Sequence, residues 1–307
     1  MRDLDPGDLE DHGAPDIAVW MRSVSRRGFL AGLALTPVLF ALAGCTTDEW
    51  AAFFAQIENR PVRRNINTMA ANDPIVNTYR DAVAAMKGLP STDPWNWTRQ
   101  AEIHNDHCPH RNWLFLPWHR EYLFQFERIC RQVTGVTDFA LPYWDWTTLA
   151  SVPSVFWNSA DALFDPTRTV GASDTLPAAP LSPASISSIL AESNFDVFGS
   201  SPLPAATDQR TFVAEGPLEN GPHDTVHAWI GGDMGNFMSP LDPVFWCHHN
   251  MIERLWVEWN ITDKNPNTND PAWMDRTFTD FVDDHRQPVT ASVAIGLLYP
   301  LISYRFA

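Results

Sequence analysis

The histidines of this chain are concentrated in two clusters whose spacing indicates metal chemistry. Eight of the ten histidines fall within residues 104–119 and 223–249. Imidazole is a ligand for copper, zinc, iron and nickel. Two sets of three neutral imidazoles, with no carboxylate or thiolate at the matching spacings, favour copper over a hard cation. The sequence therefore predicts two metal ions.

Three segments resemble the two copper signatures of the tyrosinase and catechol oxidase family. They read HRNWLFLPWH from His110 to His119, HDTVHAWIGG from His223 to Gly232, and DPVFWCHHNMIERLW from residue 242 to residue 256. The segment LPYWDW, which lies between the two copper motifs, is also similar to the family. The resemblance implies a type-3 dicopper central domain.

For the first copper, the resemblance predicts His104, His110 and His119 as ligands. The last two match the family motif directly, and His104 ends the segment QAEIH, which looks like the first-ligand helix of longer relatives. Only six positions separate His104 from His110, which is fewer than in those relatives. His107 therefore remains an alternative ligand, and its ordinary interpretation is a solvated loop residue.

For the second copper, the resemblance predicts His223, His227 and His249. The first two are spaced i and i+4, so they share one face of a helix. A lone HxxxH pair is a weak signal and is also typical of zinc proteases, but Asp224 replaces the glutamate that those enzymes require. Helical periodicity does not choose between His248 and His249, whereas the family pattern selects the second.

Two residues beside the ligands are candidates for supporting roles. Cys108 has the Cys-x-His spacing to His110 at which fungal members of the family join sulfur to the imidazole by a thioether; the alternative is a small buried thiol. Phe245, one turn before His249, matches an aromatic residue beside the second copper in relatives, where it fixes the histidine ring.

Glu219 and Asp224 are the candidate catalytic carboxylates. Relatives with strong monophenolase activity hold a water between a glutamate before the second copper motif and an asparagine directly after its first histidine. Glu219 precedes His223 by four positions, Glu215 is an alternative, and Asp224 occupies the asparagine position. An ionised carboxylate accepts a phenol proton but donates no N–H. We therefore expect diphenolase activity above monophenolase activity.

The resemblance implies a polyphenol oxidase with two copper ions as cofactors and dioxygen as co-substrate. Such an enzyme oxidises o-diphenols to o-quinones, and ortho-hydroxylation of monophenols is the family's second activity. The alternatives are a haemocyanin-like dioxygen carrier and, less well supported, a zinc hydrolase. The expected partner is a small phenol, a copper chaperone is a candidate partner, and the sequence does not indicate an oligomeric state.

Helices are expected to position these ligands. The sequence predicts four. The first begins at Asp93-Pro94 and includes His104, and the second begins near Pro117 and ends just before Gly135. The third carries His223 and His227 and ends at Gly231-Gly232, and the fourth runs from Asp242-Pro243 to about Asn260. They suggest a mainly α fold, an antiparallel four-helix bundle with the dicopper centre in its core. Residues 150–212 read as a long loop region with short helical pieces, and little β structure is expected.

The length and charge of the chain limit its class. At 307 residues it fits one sizeable domain, which we expect to span residues 46–307 with no C-terminal shielding domain. Its 14 Trp and 18 Phe predict a dense aromatic interior. The net charge of −16 argues against nucleic acid or an anionic membrane surface as a partner.

Residues 1–45 predict an export leader of bacterial type. Arg26-Arg27, followed by Phe29-Leu30 and an apolar run to Gly44, is typical of a twin-arginine signal. The segment LAGC resembles a lipobox that would leave Cys45 acylated; a helical anchor is the alternative. Residues 1–20 are acidic, so the true start is expected at Met21. The predicted location is the periplasm or cell surface, with membrane contact only through the signal or the lipid.

Overall fold

The computed structural model describes residue 55 and residues 57–307, and the chain divides into two units. In the first unit, residues 1–60, the described residues make one helical turn. The second unit is Pro61–Ala307. The predicted leader, residues 1–45, lies outside the described residues. Within the part of the chain that the structure describes, no helix is both long enough and apolar enough to span a membrane.

The second unit is mainly helical, as predicted. Its principal helices are α1 (Pro74–Gly88), α2 (Trp97–His107), α3 (Phe115–Thr134), α4 (Asp224–Ile230) and α5 (Val244–Val257). Short α-helices span Ala178–Leu181, Pro183–Leu190, Phe195–Phe198, Pro271–Met274, Val293–Gly296 and Tyr299–Ile302. Single π-helical turns lie at Glu219–His223 and Glu258–Thr262, and 3₁₀ turns at Ile66–Thr68, Ser154–Phe156, Gly232–Gly235 and Ser239–Leu241.

The β structure in the described residues consists of two short pairs of strands. β1 (Val62–Arg63) pairs in parallel with β4 (Arg305–Phe306), with Val62 opposite Arg305. β2 (Thr277–Phe278) pairs antiparallel with β3 (Ala291–Ser292), with Thr277 opposite Ser292. The predicted low β content is confirmed.

Helix α2 begins three residues later than predicted. Its N-cap is Asn96, whose side-chain oxygen accepts a hydrogen bond from Thr98 N at 3.0 Å. Asp93, the predicted cap, instead closes the preceding turn and pairs with Arg286 at 3.1 Å. Asp93 therefore caps the turn before the helix, and Asn96 caps α2 itself.

Helix α1 was not among the four predicted helices, although it supports two of them. Asp73 caps it by accepting from Ile75 N at 2.9 Å. Tyr79 on α1 packs edge-on against Phe126 of α3, and its hydroxyl donates to the Pro243 carbonyl at 2.6 Å. Helix α1 thus ties α3 to the start of α5.

The interior is aromatic, as predicted. Trp246 of α5 stacks on Phe126 of α3 with ring centroids 3.5 Å apart, and such pairs contribute about 0.5–1.5 kcal/mol beyond the area they bury. The fully buried tryptophans are Trp118, Trp144, Trp146, Trp246, Trp256, Trp259 and Trp273. This packing gives α3 and α5 a fixed relative position.

A buried ion pair fixes the start of α5. Asp242 accepts from Val244 N at 2.9 Å and so caps the helix. Its two carboxylate oxygens each accept from Arg168 at 2.7 Å, and both side chains are at most 1% exposed. Asp242 therefore has the capping role that its sequence position predicted.

Two glycines shape the turn after α4. Gly231 and Gly232 have φ of 64° and 57°, in the left-handed region that favours glycine. A Cβ on Gly232 would lie 2.2 Å from the Thr167 carbonyl oxygen. The close approach of the 167–169 segment thus requires glycine here, and α4 ends where predicted.

Candidate metal centre

Six of the predicted ligand histidines meet in the core. They come from α2 (His104), the segment between α2 and α3 (His110), α3 (His119), the π-helical turn before α4 (His223), α4 (His227) and α5 (His249). Four of these side chains are buried, and His110 and His227 are partly exposed to a cavity.

His104, His110 and His119 form one triangle of rings. The centroid of His104 is 5.7 Å from that of His110 and 5.4 Å from that of His119, and the third side measures 5.3 Å. Three imidazoles on one α-helix, one loop and a second α-helix thus converge from the first histidine cluster.

His223, His227 and His249 form the second triangle. Its sides are 4.6 Å, 5.0 Å and 5.3 Å between ring centroids. The two triangles adjoin at His119 and His249, whose rings stack 4.5 Å apart. Proximity alone does not divide the rings between two ions, because His104, His119 and His249 also bring their ring nitrogens within 4.8 Å of one another.

The Nδ1 atoms of five of these rings face oxygen acceptors. The partners are the Phe237 carbonyl for His104 (2.7 Å), the Glu219 carboxylate for His110 (3.2 Å), the Phe115 carbonyl for His119 (2.8 Å), the Asp224 carboxylate for His223 (2.8 Å) and the Met234 carbonyl for His227 (2.7 Å). These oxygens accept, so each Nδ1 carries a proton, and a ring that is neutral keeps its lone pair on Nε2.

The Nε2 atoms point into the cluster. Those of His104, His110, His119 and His223 are buried without a hydrogen-bond partner among the described residues, and His227 Nε2 lies 3.1 Å from His249 Nε2. Buried polar atoms are normally hydrogen-bonded. Converging lone pairs of neutral imidazoles suit a metal ion of the copper or zinc type, so the donor set fits copper.

The neighbouring histidine on α5 has a different environment. The Trp146 indole donates to His248 Nδ1 at 3.2 Å, so the neutral ring carries its proton on Nε2. His249 instead packs against Phe245, with ring centroids 4.1 Å apart. The indole of Trp146, which lies in the family-like LPYWDW segment, thus gives His248 an environment different from that of His249, although ring nitrogens of both lie within 4.8 Å of those of His223 and His227.

His107, the alternative to His104, lies outside the cluster. Its side chain is 47% exposed and its Nδ1 is 3.5 Å from the Asp280 carboxylate. His104 is 2% exposed and lies among the other ligand candidates. The α-helical backbone of α2 turns the two side chains to different surroundings.

Burial sets the protonation of the cluster. It lowers the pKa of His104, His119, His223 and His249 well below the ordinary value, and that of His227 to about 4. His110 is the exception. Burial lowers its pKa too, but hydrogen bonds with Cys108 and Glu219 outweigh this effect and raise the pKa of His110 to about 10. Metal ligation needs the neutral ring, so loading this site must displace the proton of His110.

The predicted catalytic carboxylates have different positions. Glu219 is 1% exposed and does not line the cavity; its oxygens accept from Arg111 N at 2.8 Å and Ser200 Oγ at 2.6 Å besides His110. Asp224 lines the cavity with a side chain that is 41% exposed. Burial raises the pKa of the Asp224 carboxyl. Glu219 thus holds a ligand ring, whereas Asp224 faces the space beside the rings.

Aromatic side chains enclose the histidines. Phe245 contacts His104 with ring centroids 5.1 Å apart as well as His249, so it touches both triangles. Phe115 lies 4.8 Å from the rings of His119 and His223. Phe115 was not among the predicted site residues, although this residue belongs to the motif that ends at His119.

A cavity of about 260 Å³ opens onto the histidines. Its lining comprises His104, His110, His223 and His227 at the base, and Arg111, Phe212, Glu215, Asp224, Met234, Gly235, Asn236, Phe237 and Ser239 around them. Phe212 and Phe237 are 55% and 39% exposed. The cavity is large enough for a small aromatic molecule and has aromatic faces at its entrance.

The chain belongs to the tyrosinase family. The family model described as the common central domain of tyrosinase matches residues 77–212 and 173–262. Together with the histidine geometry, this membership defines a tyrosinase-type dicopper centre, although it does not fix which histidine binds which ion.

The chain is similar to curated plant proteins. It is 30% identical to polyphenol oxidase II, chloroplastic, of Ipomoea batatas, over 74% of this chain and 46% of the relative. It is 29% identical to (+)-larreatricin hydroxylase, chloroplastic, of Larrea tridentata, over 85% of this chain and 52% of the relative. The chain thus spans about half the length of these relatives.

Solved structures share the fold. The polyphenol oxidase of Grenache (Vitis vinifera) superposes with a TM-score of 0.72 at 26% identity, covering 81% of this chain and 85% of that one. Latent apple tyrosinase gives a TM-score of 0.72 at 25% identity, covering 81% of this chain and 62% of the other. These similarities confirm the predicted mainly helical fold.

Proposed function

We propose that the protein is a copper-dependent polyphenol oxidase that oxidises o-diphenols to o-quinones with dioxygen, which is reduced to water. The observation that carries the proposal is the convergence of unpartnered Nε2 atoms beneath an open cavity. The names of the polyphenol oxidase relatives support the same activity.

We assign His104, His110 and His119 to the first copper and His223, His227 and His249 to the second. Each set comes from one copper motif, and each forms a compact triangle of rings. The exposed position of His107 and the indole bond to His248 favour this assignment over the alternatives.

Bound copper would supply redox change and Lewis acidity at the base of the cavity. The protein's own contribution is orientation. Backbone carbonyls of Phe115, Met234 and Phe237 and the carboxylate of Glu219 hold the imidazoles by their Nδ1 protons, while Phe245 packs between rings of both sets. Such outer partners fix ring direction and increase ligand basicity.

Asp224 is the proposed base for the phenolic proton. It lies in the cavity, next to His223, and burial raises the pKa of its carboxyl, which makes it a better proton acceptor than an ordinary aspartate. Glu219 is the proposed positioning residue, because its oxygens already accept from His110, Arg111 and Ser200. The proposal thus gives Asp224 and Glu219 different roles, whereas both were predicted from the sequence as catalytic carboxylates.

Ortho-hydroxylation of monophenols is the proposed secondary activity. A relative named (+)-larreatricin hydroxylase supports it. We expect it to be weaker than diphenol oxidation, because Asp224 has no amide N–H with which to orient a water.

A thioether between Cys108 and His110 is also proposed. Cys108 is buried and its sulfur lies within 4.8 Å of ring nitrogens of His104 and His110. Its formation would replace the S–H bond of Cys108 and one ring C–H bond of His110 by a C–S bond, and dioxygen, the proposed co-substrate, would accept the two electrons and two protons. The covalent bond would pin the His110 ring and reduce its movement when the metal changes charge. Cys130 and Cys247 are buried elsewhere and are expected only to pack.

Export by the twin-arginine route, in a bacterial cell and with Cys45 acylated, is the proposal for residues 1–45. It rests on Arg26-Arg27 and the following apolar run, whereas the similar curated proteins carry chloroplastic names. Replacing both arginines by lysine should retain the protein in the cytoplasm. Membrane association of a Cys45→Ser variant would instead favour a helical anchor.

The activity is tested with copper-reconstituted protein, a catechol and a monophenol under air. Quinone formation from the catechol, with oxygen consumption, is the expected result. Reversible oxygen binding without quinone formation would identify a carrier, and hydrolytic activity with zinc would exclude the proposal.

A further inference from the structure

Arg111 projects from a fixed backbone position at the entrance of the cavity. Its φ of 60° is in the left-handed region, which a non-glycine residue adopts only when its surroundings hold it there. Its N–H donates to Glu219 at 2.8 Å and its carbonyl accepts from Val213 N at 2.8 Å. The direction of the side chain is therefore set by the same carboxylate that holds His110.

The Arg111 guanidinium is only partly satisfied. Its Nε donates to Glu215, and its carbon lies 4.9 Å above the Phe212 ring. Among the described residues, its two terminal nitrogens have no hydrogen-bond acceptor, and its side chain is 52% exposed. An arginine remains charged at every physiological pH and presents planar paired donors that match a carboxylate.

The carboxylates beside Arg111 are already engaged. Glu215 accepts from Arg111 with one oxygen and from Asn220 Nδ2 with the other at 2.7 Å. Asp224 faces His223 Nδ1 with one oxygen. These contacts leave the terminal guanidinium nitrogens of Arg111 as open donors at the entrance, together with the second carboxylate oxygen of Asp224.

A second guanidinium, that of Arg210, lies beside Phe237, the other aromatic residue at the entrance. The Arg210 guanidinium lies 5.7 Å from the Phe237 ring and donates to the Asp106 carbonyl at 3.0 Å. No carboxylate in the described part of the chain lies within 4.0 Å of it. The lining of the cavity itself holds one guanidinium, of Arg111, and two carboxylates, of Glu215 and Asp224.

We propose that Arg111 is a specificity-determining residue, which makes the enzyme prefer phenols whose side chain ends in a carboxylate. The inference rests on the proposed function. The aromatic ring would lie between Phe212 and Phe237, and the carboxylate would accept from the terminal nitrogens of Arg111. Arg210 would add long-range attraction that falls as salt increases.

The test compares a carboxylate substrate with its uncharged methyl ester. For 3-(3,4-dihydroxyphenyl)propionate and its methyl ester, we expect Arg111→Gln to reduce the acid-to-ester ratio of kcat/KM about fivefold to tenfold, the range for a partly exposed charged contact. Arg111→Lys should retain part of the preference. Arg99→Gln removes an equally exposed guanidinium, paired with Glu102 on the outer side of α2, and should leave the ratio unchanged.

Two further measurements separate recognition from a structural effect. The acid-to-ester ratio of the unaltered enzyme should fall as sodium chloride is raised, and that of Arg111→Gln should not. Calorimetric binding of 3-phenylpropionate and 3-phenylpropanamide should show the same selective loss for the acid, whether or not any phenol is oxidised.

The outcomes are distinct. The proposal would be overturned if Arg111→Gln changed both the acid-to-ester ratio of kcat/KM and the carboxylate affinity by less than twofold. It would also be overturned if the enzyme preferred dopamine and Arg111→Gln left that preference intact. If no catechol is oxidised but carboxylate binding is lost in Arg111→Gln, the proposed function fails and the anion site stands.

Discussion

Replacing Arg168 by methionine should destabilise the protein through the start of α5. The change removes both hydrogen bonds to Asp242 at 2.7 Å and the donor to the Phe156 carbonyl at 2.6 Å, while Asp242 stays fully buried. Breaking a buried ion pair by removing one partner costs about 3–5 kcal/mol, because a charge is left uncompensated. We expect a loss of that size in the free energy of unfolding at pH 7.5.

The loss should depend on pH in a defined direction. Burial raises the pKa of the Asp242 carboxyl, and Arg168 opposes that effect. Without Arg168 the folded-state pKa rises further above the unfolded value. A group with a raised folded-state pKa loses stability as pH increases. The deficit of Arg168→Met should therefore be larger at pH 8 than at pH 5.

The assay is urea unfolding of metal-free protein followed by tryptophan fluorescence. Arg99→Met breaks a pair with 53% and 37% exposed side chains and should cost less than about 1 kcal/mol. The double variant Arg168→Met/Asp242→Leu should recover part of the loss, because no buried charge remains. The prediction would be wrong if Arg168→Met lowered the free energy of unfolding by less than about 1 kcal/mol. It would also be wrong if the losses of Arg168→Met and Asp242→Leu simply added in the double variant.

Three further predictions concern the metal centre. Asp224→Ala should lower monophenol turnover more than catechol turnover, whereas Glu219→Gln should lower both about tenfold to a hundredfold by loosening His110; the same loss on both substrates for Asp224→Ala would contradict the base role. Peptide mapping of active enzyme should find Cys108 joined to His110 in a fragment lighter by the hydrogens lost, and an alkylatable Cys108 would exclude the thioether. Because the pKa of His110 is raised to about 10, copper binding should release a proton, and the copper affinity should increase as pH rises from 6 to 8. Calorimetry in buffers of different ionisation enthalpy measures the number of protons released.

Much of the site could be predicted because its ligands lie in contiguous motifs. Helical spacing put His223 and His227 on one face, and the sequence Asp242-Pro243 correctly predicted that α5 begins directly after it, at Val244. The structure agrees with these elements because local hydrogen bonds determine them. The mainly α fold followed from the same signals.

The partners of the ligand rings could not be predicted. Three of the five Nδ1 acceptors are backbone carbonyls, of Phe115, Met234 and Phe237, and a carbonyl is present at every residue. The proposed choice of His249 over His248 is supported by a hydrogen bond that His248 accepts from the indole of Trp146, which is distant in sequence.

The predicted start of α2 was three residues too early. Asp93 and Asn96 are both good N-caps, and sequence alone does not indicate that Asp93 caps the preceding turn while Asn96 caps α2. The roles of Glu219 and Asp224 stay predictions, and spacing from His223 does not indicate that Ser200 and Arg111 donate to the oxygens of Glu219.

The most direct test of the central claim is the copper content of purified, reconstituted variants, measured together with catechol oxidation. The unaltered protein should bind two coppers per chain, and His104→Ala and His249→Ala should each lose copper and all catechol oxidation. The matched controls His107→Ala and His248→Gln should keep two coppers and measurable activity. One copper in the unaltered protein, or two coppers and full activity in His249→Ala, would contradict the account.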